Sequence, residues 1–89
     1  MVRVRLTVSH EAGLHARPAA VFVLETNKYQ ADVCIRNVTK QSGWVNAKSI
    51  LSVLTLGVEK GHEIELEAEG KDEAEAIQAL ALLIGGDFV

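Results

Sequence analysis

Gly13-Leu14-His15-Ala16-Arg17-Pro18 reads as a chain turning into a helix. Pro18 is the only proline, and its fixed φ and missing N–H suit a first helical turn. Beyond it Ala19, Phe22, Val23 and Thr26 recur at helical spacing, so a helix is expected over Ala16 to Lys28, with Glu25 and Lys28 outward. Gly13 supplies a turn just upstream and places His15 at the cap, where the N–H groups of a first turn have no intrahelical partner. The positive end of the helix dipole favours anions and disfavours imidazolium, which leaves a neutral, nucleophilic ring suited to phosphate chemistry. Arg17 can swing its fork back over a phosphoryl group on that ring, a contact Lys would imitate poorly. The plain alternative for so short a motif is a capping histidine beside a solvated arginine.

Upstream of this turn, Val2, Val4, Leu6 and Val8 alternate with Arg3, Arg5 and Thr7, the period of a strand with one buried face. His10 and Glu11 fall in the connecting loop. Downstream, Asp32 to Arg36 forms a second strand with Val33 and Ile35 on one face and Cys34 on the other. Nothing nearby lowers the thiol pKa, so Cys34 is expected to be structural. Asn37 to Trp44 is a hairpin connection turning at Ser42-Gly43, and Trp44-Val45 opens the returning strand with the indole packed across the sheet.

Ser49 is a natural N-cap for a short helix over Ile50 to Leu56, with Gly57 as its stop. Apolar residues run nearly all round this helix. Val53 and Leu56 are expected to enter the core, which leaves Ile50, Leu51 and Leu54 as an exposed docking patch unless the hairpin folds over them. After the Gly61-His62 turn, Ile64, Leu66 and Ala68 face inward, while Glu63, Glu65, Glu67 and Glu69 face out. Cross-strand pairing with Arg3 and Arg5 explains this acidic comb better than a metal does. Asp72 with Glu75 resembles a capping box for a last helix whose core stripe is Ile77, Leu80 and Ile84, ending at Gly85-Gly86. Ala81, Leu82 and Leu83 widen that stripe enough for a self-association surface.

With 89 residues and 48% hydrophobic content, the chain supports one domain with a thin core. One cysteine excludes an internal disulfide, and neither a membrane-spanning run nor a charged-then-apolar leader is visible. A cytoplasmic location without membrane insertion is expected, and the glycosylation-like Asn37-Val38-Thr39 is taken as chance. The net charge of −3 hides seven Lys/Arg against three Asp/Glu in residues 1–48, and two against nine in 49–89. A basic half carrying His15 and Arg17 could steer docking to acidic protein surfaces. Scattered positive charge, few aromatics and net negative charge argue against nucleic acid. The order strand, helix, strand, strand, helix, strand, helix argues a two-layer α+β domain with helices on one face of a mainly antiparallel sheet.

Gly-Leu-His-Ala-Arg-Pro-Ala-Ala at 13–20, Val-Asn-Ala-Lys-Ser-Ile-Leu at 45–51 and Leu-Gly-Val-Glu-Lys-Gly at 56–61 together resemble HPr, the histidine-containing phosphocarrier of the sugar phosphotransferase system. The resemblance covers nearly the whole chain. It implies an open-faced sandwich of four strands and three helices (βαββαβα), phosphorylation of His15 through Nδ1, and a match of Ser49 to the serine modified by an ATP-dependent kinase in many Gram-positive-type members. The implied partners are enzyme I, the A domains of sugar permeases, HPr kinase/phosphorylase and a transcriptional regulator, with no cofactor and no metal. Such a chain is a carrier with a covalent phosphohistidine inside a transferase system, not an enzyme in the ordinary sense. The connection at 37–44 is about three residues longer than the usual family pattern, a change at a hairpin tip rather than at the chemistry.

Three other readings compete. A regulatory binding module of the same fold, acting as a catabolite-repression cofactor, is disfavoured by His15 and Arg17. A nitrogen-branch phosphocarrier is disfavoured by the Ser49-Ile50-Leu51 patch. A small-molecule-binding domain would need an enclosed, glycine-lined site that the sequence does not display.

Overall fold

The computed structural model describes residues 1–84. Its elements run β1 (Val2–Thr7), α1 (Ala16–Thr26), β2 (Asp32–Asn37), β3 (Val45–Asn46), α2 (Ile50–Thr55), β4 (Glu63–Glu69) and α3 (Glu73–Ile84). The four strands form one antiparallel sheet in the order β1-β4-β2-β3. The expected open-faced α+β sandwich is what forms. Val33, Ile35, Ile64, Leu66 and Ala68 turn to one face and are buried with Ala19 and Phe22 of α1, Val53 of α2, and Ile77, Leu80 and Ile84 of α3. Phe22 is among the largest fully buried side chains, and truncating such a ring typically costs about 3–5 kcal/mol.

Register explains the wet face. Arg3 stands opposite Glu67 and Arg5 opposite Glu65 across β1 and β4, while Arg36 of β2 meets Glu65 from the other side. Arg3 pairs with Glu67, Arg5 reaches Glu65 at 3.5 Å and Arg36 reaches it at 2.7 Å. The outward comb is therefore corrected at Glu65, which is only 7% exposed because β4 is a central strand with an arginine on each side. The Arg36 hydrogen bond, followed by the charges of Arg36 and Arg5, holds its carboxyl below the usual range. Trp44 lies across this face with the Arg3 and Arg36 guanidinium carbons 5.7 and 5.2 Å from its ring centroid. Cys34 shares the face half-buried, and burial, then Glu67 and Asp32, push its thiol up.

Two local expectations are also corrected. The β2–β3 connection turns at Val38–Gln41, where Gln41 has φ +56°, instead of at Ser42-Gly43. Asn37 closes it, since its N–H donates to Ser42 Oγ at 2.8 Å and the Ser42 N–H donates to its carbonyl at 3.0 Å. Asn37 is fully buried, so its amide is not a surface acceptor for sugar. At the start of α3, Asp72 does not cap with Glu75. Its carboxylate accepts from the Gln30 and Ala31 N–H groups at 2.9 and 2.8 Å, which holds its carboxyl low. Glu73 instead closes the turn by accepting from Gly70 N–H at 3.0 Å. The proposed stop at Gly85-Gly86 lies outside the described residues.

Candidate functional site

His15 is the N-cap of α1, with extended backbone (φ −84°, ψ −165°), an exposed side chain and no capping hydrogen bond from that side chain. Its carbonyl accepts the first helical bond, from Ala19 N–H at 2.8 Å. Ala16 and Arg17 N–H have no acceptor within the helix, and Pro18 has none to offer. No acidic residue stands in this first turn to compete for an anion.

The turn that carries the ring is seated on the loop before β4. Gly13 has φ +59°, and a Cβ there would strike the Val58 carbonyl oxygen and come within 2.7 Å of Glu59 Cα. Only glycine tolerates both conditions. Leu14 N–H donates to that same Val58 carbonyl at 3.0 Å, and Gly13 N–H donates to His10 O at 3.0 Å. Leu14 and Val58 are buried beneath the turn, and Lys60 pairs with Glu11 at 3.1 Å along its edge. His10 is exposed, and its Nδ1 accepts from Ala12 N–H at 3.2 Å, so it helps shape the loop.

Arg17 is exposed on the first turn of α1 and borders an apolar groove of about 500 Å³ lined by Val8, Leu14, Val21, Phe22 and Leu83. Among the described residues it makes no ion pair, unlike Arg3, Arg5 and Arg36, which β4 engages. The basic half of the sequence is therefore not a basic face. Its charge is largely answered across the sheet, and Arg17 keeps its own near His15 in the chain.

Ser49 caps α2 as expected, with Oγ accepting from Ser52 N–H at 3.4 Å. Val53 and Leu56 are buried, whereas Ile50, Leu51 and Leu54 are 36%, 74% and 38% exposed. The hairpin does not cover them. Val21 and Leu24 of α1, 48% and 69% exposed, are further surface apolar residues that helical spacing did not single out. Among the described residues, no group of three or more His, Cys, Asp or Glu is placed to hold a metal ion. No described helix is long and apolar enough to cross a membrane.

Fold and turn define an open-faced α+β sandwich displaying an exposed histidine at an uncapped helix start. The family model for the PTS HPr component phosphorylation site matches residues 2–85. The chain is 43% identical over 84 residues to the HPr-like protein Crh of Bacillus subtilis, covering 94% of this chain and 95% of that one. A crystal structure of phosphocarrier protein HPr from Bacillus anthracis superposes with TM-score 0.87 at 42% identity, over 93% of this chain and 95% of that chain. The chain also matches a multiphosphoryl transfer protein of Haemophilus influenzae, 41% identical over 78 residues, 88% of this chain but only 16% of that protein's length. It belongs to the HPr family of the phosphotransferase system.

Proposed function

We propose that the chain carries phosphoryl groups on His15 Nδ1, accepting them from phospho-enzyme I and delivering them to the A domains of sugar permeases in the cytoplasm. The observation that carries this reading is the exposed ring of His15 at a helix start whose first-turn N–H groups lack intrahelical acceptors. In the forward step the Nδ1 lone pair forms the new N–P bond as the donor's N–P bond breaks, and the donor imidazole leaves with its electron pair. The next acceptor reverses the exchange. Alignment and charge stabilisation do most of the work in such a transfer, and here they fall to Arg17 and the N–H groups of Ala16 and Arg17. A ring on the surface stays reachable by successive partners, which an enclosed pocket would prevent. Ile50, Leu51 and Leu54 form the apolar docking patch.

Incubation with enzyme I and labelled phosphoenolpyruvate tests this. Acid-labile label is expected on the native protein and none on His15→Ala, while label persisting in the variant would move the acceptor elsewhere.

Ser49 carries the regulatory part of the proposal. Phosphorylation by HPr kinase/phosphorylase would add about two negative charges at the start of α2, beside the patch. That charge slows phosphorylation of His15 by enzyme I and favours a transcriptional regulator as partner. Slower transfer by Ser49→Asp supports the inhibition, and a rate equal to the native one opposes it. A regulatory binding module is the second reading, supported by the same exposed patch. It predicts partner binding with no label on His15.

A further inference from the structure

His62 takes no part in the phosphocarrier reading, and its ring holds the loop on which the turn that presents His15 is seated. Its half-buried ring accepts on Nδ1 from Glu59 N–H at 3.1 Å and lies 3.2 Å from Asn37 Nδ2. The roles are fixed by the neighbours. Glu59 N–H can only donate, and Asn37 is oriented because its Oδ1 accepts from Lys40 N–H at 3.2 Å while its Nδ2 donates to Leu56 O at 3.1 Å. The second Nδ2 hydrogen therefore points to the ring, and the neutral imidazole carries its proton on Nε2. His62 is also tied to the end of β1, since Val8 N–H donates to His62 O at 2.9 Å and Gly61 N–H donates to Val8 O at 2.8 Å.

One ring nitrogen thus joins three segments: the loop before β4 through Glu59, and the β2–β3 turn and the C-cap of α2 through Asn37. The peptide it holds is the seat of the phosphoacceptor turn. Val58 O receives Leu14 N–H, and the backbone of Val58 and Glu59 lies flush against Gly13. We infer that His62, in its Nε2–H form, is a positioning residue for His15: it fixes the Val58–Glu59 peptide on which Gly13 and Leu14 rest, and a proton on Nδ1 releases that peptide. This rests on His15 being the acceptor, but the structural half can be measured without any transfer.

Protonation replaces the Nδ1 lone pair with a donor facing two donors, so both bonds are lost together. The charged and titratable groups on the surrounding segments are Lys40 of the β2–β3 turn, Glu59 and Lys60 of the loop, Glu63 of β4, and His10 and Glu11 of the β1–α1 turn, with Lys60 paired to Glu11.

The test compares native protein with His62→Asn, whose carbonyl oxygen can stand near Nδ1 and accept from Glu59 N–H, and His62→Leu, which cannot accept. Nitrogen-detected NMR of the native ring is expected to show a bare Nδ1. Amide exchange at Leu14 and Glu59 should rise at least about tenfold in His62→Leu and return towards native in His62→Asn, in line with a lost hydrogen bond of about 1.4 kcal/mol. The Leu14 and Glu59 amide shifts should follow the titration of His62 in native protein and lose that dependence in His62→Asn. Transfer to His15 from enzyme I should slow several-fold in His62→Leu and recover in His62→Asn.

A protonated Nδ1 in the neutral ring, or a Leu14 amide indifferent to His62, would overturn the inference, as would a loosened turn with unchanged transfer. If His62→Leu does not fold, the native titration decides alone. A coupled Leu14 in a protein that never takes label on His15 would overturn the carrier reading and leave the coupling standing.

Discussion

Helices α1 and α2 begin in opposite ways. At α1 the N-cap is His15, with extended backbone and a side chain that makes no capping bond. At α2 the N-cap is Ser49, also extended, whose Oγ accepts from Ser52 N–H. At α2 the N-cap side chain answers one first-turn donor, and at α1 it answers none. Neither has an acidic residue in its first turn, whereas α3 begins with Glu73 and Glu75. Among the described helices, α1 is thus the one that starts with neither a side-chain cap nor an acidic residue in its first turn. Backbone contacts on the Val58 peptide, not a cap, hold the open start in place.

Acid should sharpen this contrast most. Glu65, held low first by Arg36, Asp72, held low first by Gln30 N–H, and Glu73, held low first by Gly70 N–H, all have folded pKa values below their unfolded ones. Their contribution is complete above the unfolded carboxylate range of about 4 and disappears as pH falls through the lower folded values. Denaturant midpoints measured across pH should fall steeply below about pH 4. A flat profile would mean that these groups stabilise nothing.

Gly13→Ala comes next. The left-handed φ and the collision with Val58 O should lower stability by about 2 kcal/mol or more and slow transfer to His15. A variant as stable as native would show that the seat on Val58 yields easily. Ser49→Ala removes a real but long cap and should cost about 0.5–1 kcal/mol by chemical denaturation. His15→Ala removes no capping bond and should stay within about 0.5 kcal/mol of native. The comparison breaks if His15→Ala costs more than Ser49→Ala.

Short-range patterns in the sequence reveal much of this design. Alternation in β1 and β4, the helical spacing after Pro18, and the surplus of apolar residues in α2 each reflect a neighbourhood of a few residues. They suffice for the element order, the core face and the exposed patch. What they miss is set by distant partners. That β4 is central, and so buries Glu65 between Arg5 and Arg36, follows from strand order, which no local period encodes. Asp72 reaches the Gln30 and Ala31 amides, more than forty positions away in the chain, instead of its own helix. Gln41 takes the left-handed position that Ser42-Gly43 advertises. Around the candidate site, the turn at Gly13 and the helix start at His15 were legible from spacing, because a helix start is a local event. Val58 beneath Gly13 and the Nδ1 acceptor of His62 were not, because only folding brings residues 58–62 under residues 13–15.

The most direct test follows the backbone amides of Ala16, Arg17 and Ser52 by proton–nitrogen NMR as the protein is phosphorylated by enzyme I and phosphoenolpyruvate. A phosphorus signal on His15 Nδ1 is expected, with large downfield shifts at Ala16 and Arg17 and little change at Ser52, whose N–H is already engaged. Phosphorylation elsewhere, or a phosphorylated His15 whose Ala16 and Arg17 amides do not move, would contradict it.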